Sequence, residues 1–185
     1  MPEAGRVIAG LARGRRLVHP GTGTRPFSDR VKQAMFGSLE PDLAGARVLD
    51  LFAGSGAGGI EALSRGAASC DFVERDRSAI EAIEENLRRT RLEGPGARVH
   101  RSDVAAFLGR ATGPYDVVLL DPPYGDAAIL AVLEQLGGGE LLSSGAVVAA
   151  RHFWRDELPE RAGRLQRERE RRVGEGVVSY YREAG

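Results

Sequence analysis

RVLDLFAGSGAGG, residues 47–59, joins a short apolar run to a glycine-rich turn. The run at 47–52 predicts a buried strand. The turn leads into IEALSRG at 60–66, whose apolar spacing predicts a helix that ends near its glycine. A strand, a glycine-rich turn and a helix in this order are typical of a parallel sheet that binds a ligand above the turn. This stretch therefore predicts the fold class and the place of a site.

The rest of the chain repeats the alternation of short apolar runs and helical stretches. YDVVLLD at 115–121 is an unbroken apolar run, which is typical of a strand at the centre of a parallel sheet. The pattern predicts an α/β, Rossmann-like fold with a mostly parallel sheet. Further strands are predicted at 70–74, 97–103 and 145–151, and helices at 28–39, 78–92, 104–110 and 126–136, with Ser28 as an N-cap.

Both ends of the chain predict hairpins. RVIAG at 6–10 and RRLVHP at 15–20 flank a turn, which indicates a small hairpin before a linker at 21–26. We therefore expect an extension at 1–24 and a main domain at 25–185. Near the other end, the Gly-Glu-Gly at 174–176 predicts a second hairpin. Its charged first arm could also form a solvated helix.

Composition narrows the classes of protein. The 185 residues suit one domain, and the lone Cys70 excludes an internal disulfide. No apolar run approaches the roughly 20 residues of a membrane span, so we expect a soluble, cytoplasmic protein with no membrane contact. Three scattered histidines lack ligand spacing, so we expect no metal site. The net charge is zero, yet residues 1–32 hold seven basic residues against two acidic ones, which indicates a nucleic-acid partner.

The glycine-rich turn supports two cofactors. Gly54, Gly56 and Gly59 satisfy G-x-G-x-x-G, and Glu74 follows Gly54 by 20 residues, as in an NAD site. Asp50, at the end of the first strand, favours S-adenosylmethionine instead, because that molecule carries an ammonium group and NAD does not. The alternative is that the glycines bind no ligand and only permit close packing.

Three acidic residues end three successive strands. Asp50 would receive the ammonium group, Glu74 the two ribose hydroxyls, and Asp103 the adenine amino group. The competing interpretation is that such acids only cap the helices that follow them.

Asp121-Pro122-Pro123-Tyr124 ends the predicted central strand, at the same edge of the sheet as these acids. An exocyclic base amine is a poor nucleophile, because its lone pair is delocalised into the ring. The Asp121 carboxylate and the Pro122 carbonyl can each accept one N–H and so direct the lone pair at a methyl donor. Tyr124 offers a ring on which an unstacked base can lie. The tetrapeptide predicts amine methylation.

Four segments together identify a family by resemblance: RPFSDRVKQAMFGSL, LDLFAGSGAGGIEALSRGA, VERDRSAIEAIEENL and VLLDPPY. They resemble the bacterial S-adenosylmethionine-dependent methyltransferases that modify guanine N2 of small-subunit ribosomal RNA. The resemblance implies a class I methyltransferase fold, a seven-stranded sheet with an antiparallel hairpin strand, and an N-terminal β-hairpin that holds RNA. It also implies an assembling ribosomal particle as partner, a monomer, and S-adenosylhomocysteine as product.

The resemblance assigns roles to residues of this chain. Asp121, Pro122 and Tyr124 match the catalytic tetrapeptide. RNA contacts are expected at Arg13, Arg15, Arg16, Arg25 and Arg30. Cofactor contacts are expected at Asp50, Phe52, Ala53, Gly54, Ser55, Gly56, Glu74, Arg75, Ser102, Asp103, Val104 and Asp121.

The chain departs from the family pattern at two places, and three alternatives stay open. Phe27 stands where we expect threonine, and Arg151-His152 follows the fifth strand where we expect an acidic residue. The alternatives are a DNA adenine-N6 methyltransferase, which would use the same tetrapeptide, an NAD-binding oxidoreductase, and an RNA-binding module without turnover.

Overall fold

A computed structural model describes residues 1, 3–21, 27–123, 125 and 127–184 of the chain. Within these residues it forms strands and helices that alternate through most of the sequence. In chain order they are β1 Glu3–Arg6, β2 Arg16–Val18, α1 Asp29–Leu43, β3 Arg47–Leu51, α2 Ala57–Ser64, β4 Ser69–Glu74, α3 Arg77–Thr90, β5 Ala97–Arg101, α4 Val104–Leu108, β6 Tyr115–Leu120, α5 Ala128–Gly138, β7 Leu142–Phe153, β8 Arg161–Ala162, β9 Leu165–Val173 and β10 Gly176–Glu183.

The main sheet has the strand order β5-β4-β3-β6-β7-β10-β9-β8. The first five strands in this order are parallel, and β10, β9 and β8 are antiparallel additions. Strand order reverses between β3 and β6, which is the position where open α/β sheets bind ligands beyond the carboxyl ends of their strands. The α/β, Rossmann-like fold and its antiparallel terminal hairpin are confirmed.

The strand number differs slightly from the predicted seven. The main sheet has eight strands among the described residues, because the two-residue β8 pairs with the start of β9 through Arg161–Gln166 and Ala162–Leu165. Two residues carry no periodicity, so the sequence gives no signal for this strand.

Apolar side chains cover both faces of the sheet. On one face, Leu17, Phe36 and Ile60 belong to a cluster with the sheet residues Val48 and Phe72. On the other face, Phe107 and Leu133 from α4 and α5 pack with Leu49, Val118 and Val148. Successive residues of a buried strand serve opposite faces, which explains the unbroken apolar runs of β3 and β6.

The predicted hairpin near the end of the chain is present. Its charged arm at 165–173 is strand β9 and not the alternative helix, because it pairs with β10 from Val173 to Leu165. Helix α1 was predicted to end at residue 39 but continues to Leu43 through Pro41. The missing N–H of Pro41 costs one bond in the last turn, and the buried Leu43 helps to hold that turn in place. Ser28 caps α1 as predicted, accepting from the Val31 amide at 3.4 Å.

The N-terminal hairpin is present as a separate two-stranded sheet of β1 and β2. Its first strand comes earlier than predicted, because residues 10–15 are used in turns closed by Arg13 N–Gly10 O and Arg15 N–Ala12 O bonds. Val7 and Leu17 are buried in the main core, so the hairpin packs on the body. Of the predicted linker at 21–26, only Gly21 lies within the described residues, and the division of the chain at residue 24 stays a prediction. Among described residues, no helix has the length and apolar character needed to cross a bilayer.

Candidate active site

A cavity of about 840 Å³ lies at the carboxyl ends of the parallel strands. It extends from the glycine-rich turn after β3 to the loop after β6, with α5 forming part of its wall. Ten of the predicted site residues line it: Phe52, Gly54, Ser55, Glu74, Arg75, Ser102, Asp103, Val104, Asp121 and Pro122. The structure therefore brings most of the predicted cofactor and catalytic residues to one cavity.

The turn after β3 is held in a conformation that side chains rarely adopt. Phe52 has a φ of 59°, which is uncommon for a residue with a side chain, and Gly54 and Gly56 have φ values of 56° and 76°. Ala53 and Gly56 shape this turn without lining the cavity, through the Ala53 N–Val73 O and Gly56 N–Ala53 O bonds. Strain of this kind is concentrated at binding and catalytic sites.

The last glycine of the motif serves packing. A Cβ built on Gly59 would lie 2.3 Å from Phe72 Cε1 and 2.6 Å from Cys70 Sγ, so α2 can approach β4 only with glycine at this position. The alternative that the glycines only permit close packing is therefore correct for Gly59. Gly54 lies in the cavity wall, and a ligand can approach its backbone closely.

Glu74, at the end of β4, ties the turn to the cavity. Its Oε2 accepts from the Gly54 amide at 2.9 Å, and its Oε1 accepts from the amides of Arg75 and Asp76 at 2.8 and 2.9 Å. The carboxylate is therefore fixed in direction at the cavity wall. Each of its oxygens has two lone pairs, so a ligand hydroxyl can still donate to it.

Asp50 lies behind the cavity wall. Its side chain is buried, and Oδ2 accepts from the Gly59 amide at 2.8 Å. Burial raises the pKa of Asp50 to about 8, and the nearby Asp121 and Glu74 carboxylates add to this rise. Gly58 lines the cavity in front of Asp50, and a Cβ on Gly58 would lie 3.4 Å from Asp50 Oδ2. A glycine here leaves the carboxylate close to the cavity.

Asp103 is an N-cap as well as a cavity residue. Its Oδ1 accepts from the amides of Ala105 and Ala106 at 2.9 and 3.4 Å, at the start of α4. The capping interpretation is therefore correct for Asp103. It holds in part for Asp50, whose carboxylate accepts from Gly59 in the first turn of α2, whereas Glu74 bonds to amides that precede α3. Both capping bonds end on Oδ1, so the lone pairs of Oδ2 are not used in capping and can accept from a ligand.

The loop after β6 places a carboxylate and an arginine together. Asp121 Oδ2 lies 3.1 Å from Arg151 Nη1, and Oδ1 lies 3.4 Å from the same nitrogen. Arg151, at the end of β7, also lies over the Phe27 ring at 5.8 Å from its centroid. Pro122 is buried and Pro123 exposed. Tyr124 lies outside the described residues, so its predicted stacking role stays a prediction.

The predicted RNA-binding arginines lie away from the cavity wall. Arg13, Arg15 and Arg16 are exposed on the hairpin, and Arg30 is exposed in the first turn of α1. Arg15 is anchored, since its Nη1 donates to the Arg89 carbonyl at 2.8 Å. Arg25 lies outside the described residues. The structure brings the first three together in one exposed region and leaves Arg30 on a different element.

Sequence reasoning missed Asn86, which connects the hairpin to the glycine-rich turn. Its side chain is buried, and its Nδ2 donates to the carbonyls of Val18 and Ser55, both at 2.9 Å. Its Oδ1 accepts from the Val18 amide at 2.7 Å. The available signal was an amide on the apolar face of α3, between Ile83 and Leu87. A buried amide in such a place needs partners.

Metal binding finds no support in the described part of the chain, where no three His, Cys, Asp or Glu side chains are grouped so as to hold an ion. The site instead consists of carboxylates, backbone amides and one arginine that faces the catalytic candidate Asp121. Its polar groups suit an organic ligand with hydroxyls, an amino group and a positive charge.

Comparison with known proteins gives the family. Residues 5–182 match the family described as "Conserved hypothetical protein 95". The chain is 40% identical over 185 residues to "Putative rRNA methyltransferase YlbH" of Bacillus subtilis, covering 97% of this chain and 100% of that protein. The chain belongs to this family.

Other similar proteins support the resemblance to small-subunit ribosomal RNA methyltransferases. "Ribosomal RNA small subunit methyltransferase D" of Escherichia coli is 35% identical over 177 residues, covering 95% of this chain and 88% of that protein. A solved structure, "Putative methyltransferase yhhF" from Escherichia coli, superposes with a TM-score of 0.89 at 31% identity, covering 99% of each chain. A Salinibacter ruber RNA methyltransferase solved with S-adenosyl-L-homocysteine shares the fold, with a TM-score of 0.66 at 19% identity over 86% of this chain and 94% of that one.

Proposed function

We propose that this chain transfers a methyl group from S-adenosylmethionine to the exocyclic N2 amine of a guanine in small-subunit ribosomal RNA. The observation that carries the proposal is Asp121-Pro122 at the cavity end of β6, in the cavity that Glu74 and Asp103 also line. The names of the relatives, which include ribosomal RNA methyltransferases from two bacteria, support methylation of ribosomal RNA.

The cavity fits this cofactor. Glu74 holds a fixed carboxylate whose Oε2 can still accept from a ribose hydroxyl, and Asp103 Oδ2 can accept from an adenine amino group. Asp50 lies behind Gly58, where it can receive a cationic end. When bound, the cofactor supplies an electrophilic methyl group on a sulfonium. NAD carries no ammonium group to place against Asp50, so the same residue argues against the oxidoreductase alternative.

Asp121 and Pro122 would bind and orient the target amine. The Asp121 carboxylate accepts one N–H and the Pro122 carbonyl accepts the other, which turns the nitrogen lone pair toward the methyl group. The ring of Pro122 fixes its φ, and the following Pro123 restricts its ψ to extended values, so the Pro122 carbonyl keeps a narrow range of directions. After the new nitrogen–carbon bond has formed, the nitrogen carries an extra proton. The Asp121 carboxylate is placed to accept that proton and pass it to solvent.

The hairpin favours RNA over a small-molecule substrate. Arg13, Arg15 and Arg16 project exposed guanidinium groups that can neutralise phosphates. Pro20, just after β2, lines the cavity, so the chain runs from the basic hairpin directly to the site. We propose that a monomer acts on an assembling ribosomal particle in the cytoplasm, with residues 1–24 as the RNA-holding extension of the catalytic domain.

Two experiments test the proposal. The first is mass spectrometry of ribosomal RNA nucleosides from cells that lack the protein, complemented with wild type or with Asp121→Ala. We expect loss of one N2-methylguanosine, restored only by wild type. Restoration by Asp121→Ala would contradict the mechanism, and an unchanged guanosine profile with a lost N6-methyladenine in DNA would favour the DNA alternative.

The second experiment is calorimetry of the purified protein with S-adenosylhomocysteine and with NAD. We expect binding of S-adenosylhomocysteine alone, with an affinity that Asp121→Ala changes by only a few-fold. Tight binding of NAD alone would overturn the cofactor assignment. Cofactor binding by a protein that methylates neither RNA nor DNA would favour a binding module without turnover.

A further inference from the structure

Trp154 is the only tryptophan of the chain, and its ring is unusually open to solvent. The residue is 40% exposed, although burying a ring of this size is favourable by a few kcal/mol in general. It follows β7 directly and lies three residues after Arg151, which lines the cavity. An exposed aromatic ring therefore follows closely on the strand end that contributes Arg151 to the candidate active site.

The backbone holds this ring in a defined position. The Trp154 amide donates to the Glu175 carbonyl at 3.1 Å, which ties the segment to the turn between β9 and β10. A tight turn follows, closed by the Asp156 N–Phe153 O bond of 2.9 Å and by the Phe153 amide donating to Asp156 Oδ2 at 3.2 Å. The exposed ring is thus presented by two connected turns.

Two guanidinium groups lie over the Trp154 ring. The Cζ of Arg155 is 4.7 Å from the ring centroid, and the Cζ of Arg172 is 4.9 Å from it. Arg172 is also held by its Nε donating to the Gly174 carbonyl at 3.2 Å. Such cation–π contacts orient the arginines while their other N–H groups still face outward.

These arginines differ from those on α3. Arg77, Arg88 and Arg89 each form an ion pair with a glutamate of the same helix. Within the described ranges, no ion pair joins Arg155 or Arg172 to an acid.

Three acids neighbour the two arginines of this surface, so it has no positive excess. Asp156 accepts from the Phe153 amide, and Glu157 and Glu175 are exposed nearby. Attraction to phosphate is therefore weak here, and the aromatic ring is the distinctive feature.

We propose that Trp154, with Arg155 and Arg172, is a stacking surface for an unpaired base of the substrate RNA next to the target nucleotide. The inference rests on the proposed function, since it assumes an RNA substrate. Single-stranded RNA exposes base faces that stack on aromatic rings and guanidinium planes, whereas paired bases do not. The surface adds a contact at the end of β7 that is separate from the basic hairpin.

The lone tryptophan makes a direct test possible. The protein, with S-adenosylhomocysteine present so that no turnover occurs, is titrated with a single-stranded RNA oligonucleotide and with the duplex of the same sequence while Trp154 fluorescence is recorded. We expect quenching by the single strand at concentrations that match binding measured by anisotropy, and much weaker quenching by the duplex.

Variants separate stacking from general damage. Trp154→Ala should weaken binding of the single strand about tenfold, and Trp154→Phe should restore most of it, because base–aromatic stacking contributes roughly 1–3 kcal/mol, or about 5- to 150-fold. Leu130→Ala is a matched substitution of another exposed apolar side chain, 42% exposed on α5, and should change nothing. The slope of affinity against salt should stay unchanged in Trp154→Ala, because no phosphate contact is removed.

Three outcomes would overturn the inference. The first two are equal affinity in wild type and Trp154→Ala, and equal quenching by duplex and single strand. The third is quenching in a parallel titration with ribosomal proteins when RNA causes none. The last result would identify the surface as a protein contact. Failure of the proposed function has a different signature. In that case wild type transfers no methyl group to RNA, whatever the fluorescence shows.

Discussion

Arg151 Nη1 lies 3.1 Å from Asp121 Oδ2, so a guanidinium faces the carboxylate that is proposed to accept the amine N–H. The sheet produces this pair directly. Leu120 of β6 is in register with Ala150 of β7, and Asp121 and Arg151 are the next residues of these parallel strands. An acidic residue was expected after this strand, and it would have repelled Asp121. The arginine instead adds a positive charge to a cavity wall rich in carboxylates.

Substituting Arg151 tests whether this pair positions Asp121. We expect Arg151→Gln to lower kcat about tenfold with little change in the KM for RNA, because the carboxylate loses the group that fixes its direction. Arg151→Lys should recover much of the rate, since one nitrogen makes both contacts and a two-nitrogen fork is not required. Equal losses in the two variants, measured by steady-state methyl transfer, would contradict a positioning role.

Asp50 should make cofactor binding depend on pH. Its pKa is raised to about 8, mainly by burial, and a cationic ligand favours the ionised form. Below pH 8, binding must therefore remove a proton. We expect the affinity for S-adenosylhomocysteine to rise up to about tenfold per pH unit from pH 6 and to level off near pH 8. Calorimetry across this range should show the rise in wild type and a weak, nearly flat affinity in Asp50→Asn.

The raised pKa of Asp50 also makes the stability of the fold depend on pH. Since the folded-state pKa of Asp50 exceeds the unfolded value of 3.8, the folded chain holds a proton that the unfolded chain has released between about pH 4 and pH 8. The contribution of Asp50 to stability is therefore lost as pH rises through this window. Urea unfolding at pH 5.5 and pH 8.5 should show a smaller decline in Asp50→Asn than in wild type. An equal decline in both would contradict the assignment.

Gly59→Ala tests the packing role of the motif's last glycine. The added Cβ would lie 2.3 Å from Phe72 Cε1, inside a core that cannot shift freely, so we expect a loss of about 2 kcal/mol or more in the free energy of unfolding. Gly37→Ala is the matched comparison in α1, where an added Cβ meets nothing within 4 Å. That change should stabilise the chain by about 0.5–1 kcal/mol. Urea denaturation of both variants checks the contrast.

Reversing charge on the hairpin tests the RNA-holding extension. Arg13→Glu combined with Arg16→Glu should lower RNA affinity at least tenfold at low salt and reduce the slope of log affinity against log salt. Arg77→Glu, an equally exposed arginine on α3, should have a much smaller effect. Filter binding at several salt concentrations measures both quantities. Equal slopes in wild type and the double variant would place RNA elsewhere.

Much of the fold could be predicted because its central strands are unbroken apolar runs, which are typical of parallel strands covered on both faces. The cavity residues were also predictable, since parallel strands end at one edge and carry their terminal acids there. The pairing of Asp121 with Arg151 was not, because it depends on which strands become neighbours in the sheet. Periodicity fixes the type of a strand and leaves its neighbours undetermined.

The charged strand β9 shows a second limit. Its alternating arginines and glutamates suit a solvated helix or an edge strand equally well, and only pairing with β10 decides between them. Asn86 shows a third, because the partners of a buried amide lie 31 and 68 residues away in sequence. Side-chain hydrogen bonds over such distances leave no local pattern.

Helix α2 binds the N-terminal hairpin along one side, and its first residues line the cavity. Glu61 accepts from the Ile8 and Ala9 amides at 2.8 and 3.1 Å, and Ser64 Oγ accepts from the Ala12 amide at 2.9 Å. One rigid helix of eight residues thus separates the proposed RNA grip from the turn at the cavity. Because this helix sets the spacing between the hairpin and the cavity, an RNA substrate held as proposed would have to present its target base at a fixed distance from the segment on the hairpin.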